Sequence, residues 1–266
     1  MGAVGRIGSE TTAATKAFLR RRTAVFFTFF FPAIIILIFG ALVQTQPTGG
    51  GLFTEPAGYY VPGYLAVVVL FTPLSRVGSE VARHREGNRF EKLATTPLSR
   101  AEWLLAQTLV NVGIIGAAAV LILVLVVLVT GAASSLVPSP LLLPFVALGV
   151  ALFCGLGAVL GRVADSQDGV VAAANGIALP LLFLSETFVP PDLLPAWFAP
   201  LRYLSPLTYF ARGIREATYR PPGQLASFTP NANVFEASGP LLELAVLAGL
   251  TVLFFLAGAY AIPTTD

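Results

Sequence analysis

The sequence predicts an all-α integral membrane protein with six transmembrane helices. Of its 266 residues, 56% are hydrophobic and only 11% are charged, whereas about a quarter of the residues in a soluble domain are charged. The charges are also clustered, because residues 103–161 and 23–54 form uncharged stretches of 59 and 32 residues. One crossing of the hydrocarbon core takes about 20 apolar residues. The apolar runs do not alternate with polar residues, which argues against a transmembrane barrel.

The apolar runs and the breaks between them predict where the six spans lie. Spans three and four share the longest uncharged stretch, and the segment between them collects Gly, Ser and Pro turn signals. The whole chain, residues 1–266, is predicted to form a single transmembrane domain. The predicted spans are residues 23–43, 59–74, 103–129, 141–160, 169–184 and 241–262.

Lysine and arginine residues predict the orientation of the spans, because cytoplasmic loops carry an excess of them. Twelve of the sixteen lie before span one, between spans two and three, or between spans four and five. The other four lie in the long segment between spans five and six, where they carry little weight. The protein is therefore predicted to cross the cell membrane several times, with both termini cytoplasmic. Span one could also be a cleaved signal peptide, but its apolar run is too long.

The segment before span one, residues 1–22, is predicted to contain an interfacial helix. Ser9 is a suitable N-cap, and Glu10 suits the first turn. Phe18 and Leu19 stand beside a basic end, which favours a helix lying along the inner membrane surface. A short disordered tail is the alternative interpretation.

The cytoplasmic segment 75–102 contains ten of the chain's 30 charged residues. Asn88 and Glu91 have the spacing of a capping box, which predicts a short helix that ends before Pro97. Phe90 and Leu93 share one side of that helix, and such an apolar face suits a groove on a cytosolic partner. A solvated linker whose arginines only determine topology is the equally weighted alternative.

A second cap pairs Ser99 with Glu102 and is predicted to open span three.

The segment 185–240 is predicted to lie outside. Its first part is too apolar for a free loop, and five prolines break it into pieces too short to span. We expect a pair of re-entrant helices here, because irregular backbone at membrane depth must be buried in protein or line a wet cavity. Burial is expected for its large apolar residues, including Trp197 and Leu204. Residues 221–239 are predicted to form an exposed loop.

Metal, disulfide and nucleotide chemistry have few candidate residues in this chain. One cysteine, Cys154, and one histidine, His84, cannot build a thiolate or histidine metal site. The chain contains no GxxxxGK[ST] phosphate loop. No catalytic, cofactor-binding or metal-binding residue is predicted, and the net charge of +2 does not suggest a nucleic-acid partner.

Polar residues within spans are functional candidates by default. Asn175 and Glu186 are predicted to lie along a substrate path. An interhelical hydrogen bond is the alternative for Asn175, and simple outer-face exposure is the alternative for Glu186. Asn111 is another intramembrane candidate, and Glu243 is interpreted as a wet interfacial residue. Glycines of spans three and four are predicted to allow close helix packing, at positions 113, 116, 155, 157 and 161.

Two segments, one between spans two and three and one after span five, contain residues in a recognisable order and spacing. Those of the first segment are Glu86, Gly87, Glu91, Leu93, Pro97, Leu98, Ser99 and Arg100, and those of the second are Pro180, Ser185, Phe188, Pro190, Pro195, Trp197, Pro206, Leu207, Tyr209 and Arg215. Both segments resemble the signatures of the type-2 ABC exporter permeases, in which they lie at the same places. Asn88 stands where that family usually has Thr, and Glu186 stands where a small residue is common.

The resemblance implies an export permease that lies in the lipid membrane and works as a dimer. This dimer is expected to be a homodimer. Two separate ATPase subunits would hold ATP and Mg²⁺, so this chain would hold no cofactor and hydrolyse no nucleotide. The helix between spans two and three would be a coupling helix. The residues expected to contact the ATPase are Arg89, Phe90, Glu91, Lys92 and Leu93.

The scarcity of charge in the spans favours an apolar or amphipathic cargo, such as a drug, a lipid or a lipid-linked glycan. An ion-coupled carrier is an alternative, but it needs ionisable residues near mid-span. An intramembrane enzyme needs a nucleophile and base or a metal set facing inward. A membrane subunit that only anchors a partner is a further alternative.

Overall fold

The computed structural model describes residues 2–38, 55–185, 187, 195, 197, 200–220 and 239–263. Nine α-helices account for most of these described residues. A 3₁₀ turn at Ala57–Tyr60 leads into the third helix. The helices are α1 (Ala3–Arg20), α2 (Arg22–Leu37), α3 (Val61–Glu86), α4 (Arg89–Ala94), α5 (Arg100–Thr130), α6 (Leu142–Val163), α7 (Gln167–Leu184), α8 (Pro206–Thr218) and α9 (Pro240–Ala261).

Five helical segments are long and apolar enough to cross a membrane. They are 57–86, α5, α6, α7 and α9, which correspond to predicted spans two to six. The segment α2 is a shorter apolar helix within predicted span one, and residues 39–43 of that span lie outside the described residues. The integral membrane, all-α class is therefore supported, with five spans identified by length and composition.

Helix α6 lies at the centre, between α3 on one side and α9 on the other. Glycines let the three backbones touch. A Cβ atom on Gly157 would lie 2.6 Å from the carbonyl oxygen of Leu74 in α3, and one on Gly155 would lie 2.3 Å from that of Phe254 in α9. Such close approach is the usual role of small residues between membrane helices. The predicted packing role of the span-four glycines is confirmed.

The glycines of span three behave differently from those of span four. A Cβ atom on Gly113 or Gly116 of α5 would meet no described atom within 4 Å. Their predicted role in packing is therefore not found among the described helices of this chain.

Helix α3 extends twelve residues beyond the predicted end of span two at residue 74. The extension is helical because one of its faces stays apolar and packed, with Val77, Val81 and Ala82 all buried. Gly78 abuts α7, since a Cβ atom there would lie 2.6 Å from Cγ1 of Val170. The first half of the charged segment 75–102 is therefore a continuation of the transmembrane helix, with its charges on the other faces.

Helix α1 begins at Ala3, six residues before the predicted N-cap. Ser9 lies inside the helix and its hydroxyl donates a hydrogen bond to the carbonyl oxygen of Gly5. The prediction of a cap at Ser9 is wrong because helical backbone continues on both sides of it. Ala14 and Phe18 are the buried residues of α1, which packs against α5.

Of the two predicted caps around α4 and α5, one forms. The Ser99 side chain accepts from the backbone N–H of Glu102, and the Glu102 carboxylate accepts from the backbone N–H of Ser99, which completes the capping box. Asn88 makes no capping hydrogen bond and takes a left-handed conformation with φ 50°. The predicted capping bond of Asn88 is therefore wrong. Asn88 serves the tight turn instead, because Asn tolerates the positive φ that this turn requires.

The opposite end of the bundle carries α8, which has 13 residues and is too short to span. It packs against α3, α6 and α9. Gly213 allows the contact with α6, since a Cβ atom there would lie 2.1 Å from Cζ of Phe145. Tyr219 then pairs with Leu136, so the end of α8 is joined to the connection between α5 and α6.

Two expectations about this end are wrong. Glu243 is only 5% exposed and forms an ion pair with Arg212 at 3.2 Å, so it is not a wet interfacial residue. Trp197 and Leu204 remain 71% and 72% exposed, although they were expected to be buried. An exposed apolar side chain is stable in a membrane protein because lipid can cover it.

Candidate functional site

The short helix α4 lies at the end of the bundle that also carries α1, which we call the α1 end. Gly87 and the left-handed Asn88 turn the chain out of α3, and the capping box then starts α5. A six-residue helix cannot hold its shape alone in water. Its packing against the ends of α3 and α5 must therefore position it.

Phe90 provides that packing. Its side chain is only 5% exposed. Its ring centroid lies 5.3 Å from that of His84 in α3 and 5.7 Å from that of Trp103 in α5. The expected presentation of Phe90 to a partner is therefore wrong, because the neighbouring spans of this chain already form the apolar groove that it fills.

The remaining predicted coupling residues divide by exposure. Arg89, Glu91 and Lys92 are exposed residues of α4, and Arg89 also lines a cavity between α1, α3 and α5. Leu93 is half-buried and lines a cavity of about 260 Å³ together with Leu98. The surface that α4 offers is therefore charged, whereas its apolar side faces inward.

Charged residues flanking α4 connect it to neighbouring helix termini. Arg85 donates a hydrogen bond to the carbonyl oxygen of Arg162 at 2.6 Å, at the end of α6. The Glu86 carboxylate accepts from the backbone N–H of Gln167 at 3.2 Å, at the start of α7. Arg100 donates to the carbonyl oxygen of Ile262 at 2.8 Å, just past α9. Each charge has the sign that suits the helix dipole it meets.

Helix α1 is attached to the same end of α5. Arg6 pairs with Glu102 at 2.5 Å, and Glu102 also completes the capping box of α5. Gln107, one turn further along α5, donates to the carboxylate of Glu10 at 3.3 Å. The two helices α1 and α4 therefore both bear on the first two turns of α5.

A buried polar network continues from α1 into the bundle. Arg76 of α3 donates to the side-chain oxygen of Asn111 in α5 at 3.0 Å, and its guanidinium lies 5.0 Å from the Phe18 ring centroid. The Asn111 amide donates in turn to the carbonyl oxygen of Gln107 at 2.8 Å. Sequence reasoning used Arg76 only as a marker of topology. An arginine so close to a span was the available signal for a buried role.

Glu80 is the acidic centre of the neighbouring charges. It forms ion pairs with Arg83 and, at 3.6 Å, with Arg21. His84 lies 3.5 Å from the same carboxylate and also contacts the carbonyl oxygen of Glu80 through Nδ1. The side chain that packs on Phe90 is therefore oriented by Glu80.

Burial raises the pKa of the half-buried Glu10 above its ordinary value of 4.5; the Gln107 hydrogen bond opposes the shift and the charge of Glu80 adds to it. The stability contributed by a raised carboxyl pKa is fully present below the unfolded-state pKa and is lost as pH rises through the folded-state pKa. Glu10→Gln should therefore stabilise the protein at neutral pH.

The prediction for Glu10 is tested by thermal unfolding of the wild type and Glu10→Gln in detergent across pH. The difference in unfolding temperature should be near zero at about pH 4 and grow with pH, because Gln keeps the acceptor for Gln107 without the charge. Lys16→Gln, an exposed change on the same helix, should show no such trend. A pH-independent difference for Glu10→Gln would contradict the prediction.

The two residues predicted to line a substrate path lie elsewhere. Asn175 is exposed on α7, and its side chain makes no hydrogen bond to any described residue. The alternative of an interhelical hydrogen bond is therefore not found within the described part of this chain. Glu186 lies outside the described residues.

Comparison with known proteins shows the family to which this helical membrane chain belongs. The ABC-2 type transporter family matches residues 8–219, which include most of α1 and all of α4 and α8. The chain belongs to this family. It is also 26% identical over 189 residues to a putative transport permease, ycf38, of Cyanophora paradoxa, with 69% of this chain and 64% of that protein aligned. The match thus spans less than two thirds of the relative's length.

Family membership identifies the chain as a transmembrane permease of the ABC-2 type. The α1 end described above is its candidate functional site, since its short helix is exposed and connected to several spans.

Proposed function

We propose that this chain is the permease of a dimeric exporter that moves apolar or amphipathic molecules outward, powered by two separate ATPase subunits per transporter that bind at the α1 end. The observation that carries the proposal is the orientation of α4. Its apolar side is anchored by Phe90 in the bundle, and its charged side, with Arg89, Glu91 and Lys92, is exposed. A charged surface on a rigid base suits recognition by a polar partner.

Connections at the α1 end support a mechanical role for α4. A displacement of α4 would be transmitted directly to α3 and α5, through the Phe90 contacts with His84 and Trp103. It also reaches the turn between α6 and α7, through the hydrogen bonds of Arg85 and Glu86. Closure of two ATPases would therefore move several spans together. The residues of α4 act here as a contact surface and take no part in hydrolysis.

The ATPase contact is tested by replacing Arg89 and Lys92 with glutamine. Co-purification of an ABC ATPase that binds the wild type should fall at least about tenfold, because each lost charge removes hydrogen bonds to a charged group. Arg20→Gln with Arg22→Gln is the matched control, since both residues are exposed at the same end and the loss of charge is equal. Equal ATPase recovery from both double variants would count against α4 as the contact.

The proposed orientation and cargo rest on the distribution of charge. Eleven of the twelve basic residues of predicted cytoplasmic segments belong to α1, α2, α4 and the adjoining parts of α3, α5 and α6, and the twelfth, Arg21, lies between α1 and α2. That distribution supports a cytoplasmic α1 end and an outer α8 end. Exposed side chains of the spans are mostly apolar, as a lipid-like or drug-like cargo would need.

We also propose that two copies of this chain pair through α7. This helix is the least buried of the five candidate spans in the described part of the chain. A polar Asn175 at mid-helix is costly against lipid and stable when it meets a polar partner. Gly176 lies beside it with no described atom near its Cβ position, which leaves room for a close helix. The same small, polar face would border a path between the two copies.

An Asn175→Cys variant tests this pairing, in a Cys154→Ala background that removes the chain's other cysteine. Oxidation in membranes should give a disulfide-linked dimer, since α7 of each copy would face its counterpart across a two-fold axis. Val252→Cys on the exposed side of α9 is the control and should remain monomeric. Crosslinking from Val252 and none from Asn175 would place the interface elsewhere.

A further inference from the structure

A cavity of about 380 Å³ opens between α1, α3 and α5 at the α1 end. One wall is apolar and consists of α1 residues, among them Ala13, Ala17 and Phe18. The facing wall is charged and comes mainly from α3. The cavity therefore combines an apolar wall with a charged wall, which suits a ligand that carries both an apolar and a charged group.

Positive charge exceeds negative charge around this cavity. Four arginines line it against two glutamates, Glu10 and Glu80. Glu80 is shared by Arg83 and Arg21, with His84 as a third neighbour. Glu10 bonds to the neutral Gln107. The lining arginines are Arg21, Arg76, Arg83 and Arg89.

Two of the arginines can make a further ion pair or hydrogen bond with a ligand in the cavity. Arg76 makes no ion pair with a described residue; its hydrogen bond is to the neutral Asn111 and its stacking is on Phe18. The Nε atom of Arg83 is buried and has no acceptor among the described residues. Two features are costly here: a part-buried cation without an anion, as at Arg76, and a buried donor without an acceptor, as at the Nε–H of Arg83, whose ion pair with Glu80 uses only Nη2. An anion with several acceptor oxygens would remove that cost.

We propose that this cavity binds a phosphate group, presented by an anionic lipid of the adjacent leaflet. Guanidinium groups match phosphate oxygens in geometry and charge, and basic pockets beside membrane helices hold anionic headgroups. Exposed apolar side chains of α1 and of α2, the helix that follows it, would receive the acyl chains, because Leu19 of α1 and Phe26 and Phe30 of α2 are 48–62% exposed. The proposal rests on membrane embedding and is independent of the transported cargo.

Native mass spectrometry of the full-length protein tests this site, with phosphatidylglycerol compared with phosphatidylcholine. Phosphatidylglycerol should be retained by the wild type and about thirtyfold more weakly by Arg21→Gln with Arg83→Gln, because two interfacial charges are lost. Arg20→Gln with Arg22→Gln removes equal charge from the residues flanking Arg21 and should retain the lipid like the wild type. Neither pair includes Arg89 or Lys92, so the result is separate from ATPase binding.

Further measurements make the test decisive. Arg21→Lys with Arg83→Lys should recover part of the retention, and unfolding temperatures in lipid-free detergent show whether each variant is folded. Inorganic phosphate in solution is the second probe: displacement of phosphatidylglycerol by millimolar phosphate would assign the site to free phosphate, and no displacement would assign it to the lipid. Equal retention of both lipids by the wild type, or equal losses in the two glutamine pairs, would overturn the proposal.

Discussion

Gly155→Ala is expected to force α6 and α9 apart and to lower the free energy of unfolding by about 1–3 kcal/mol, the usual cost of overpacking. The added Cβ atom would lie 2.3 Å from the carbonyl oxygen of Phe254 and 2.7 Å from the backbone nitrogen of Phe255. Backbone atoms in the middle of a helix cannot move aside as a flexible side chain can. The whole of α9 must therefore shift.

Gly249→Ala in α9 is the matched control, because a Cβ atom there meets no described atom within 4 Å. Alanine is a better helix former than glycine by about 1 kcal/mol, so this variant should be at least as stable as the wild type. Cys154 reports unfolding in both, since its thiol is fully buried and becomes available to a maleimide only when the helices separate. Faster Cys154 labelling is expected in Gly155→Ala alone. Equal labelling rates would contradict the close contact of α6 with α9.

Phe90→Ala is expected to release α4 from the bundle although Phe90 is not on its outward surface. Truncating a buried Phe costs about 3–5 kcal/mol, and α4 has only six residues and no independent stability. Hydrogen exchange of the backbone amides at residues 87–98 should become fast, whereas α5 beyond its first turns should keep its protection. The recovered ATPase should fall as far as in the double variant of Arg89 and Lys92.

Glu91→Ala distinguishes positioning of α4 from contact with the ATPase. Glu91 is exposed on the same helix, so its truncation should leave amide protection at residues 87–98 unchanged whatever it does to ATPase binding. Phe90→Leu should restore part of the protection, because it keeps most of the apolar volume. If Phe90→Ala leaves the protection of α4 intact, another contact holds the helix and the role given to Phe90 is wrong.

Local patterns in the sequence predicted much of the fold correctly. Uncharged runs located the five long apolar segments to within a few residues at most ends. The reason is that unpaired backbone groups and charges are costly away from water, so a segment within the bilayer must be an apolar helix. The capping box of Ser99 and Glu102 was also predicted, since all of its atoms lie within four consecutive residues. The charge of residues 75–86 hid the continuation of α3, whose packed face is apolar.

The candidate site could be predicted in position and only partly in detail. The segment around α4 was identified from its spacing and charge, but which side of α4 faces outward was predicted wrongly. Phe90 has an apolar groove available within its own chain, formed by His84 and Trp103. No local pattern distinguishes that groove from one on a partner. Arg76 was likewise counted as a surface charge, because Asn111 and Phe18 are distant from it in sequence.

The sequence by itself determined that this protein is a helical membrane protein, where its long helices run, and which family it resembles, because burial in lipid and local capping act on consecutive residues. Only the tertiary structure decided how charge and aromatic side chains are used at the α1 end. There Arg85 and Arg100 cap neighbouring helices, Phe90 anchors α4, and an excess of arginine surrounds a cavity. Those roles depend on contacts between helices. A charged group pairs with the groups that lie near it in space, and these are distant from it in sequence.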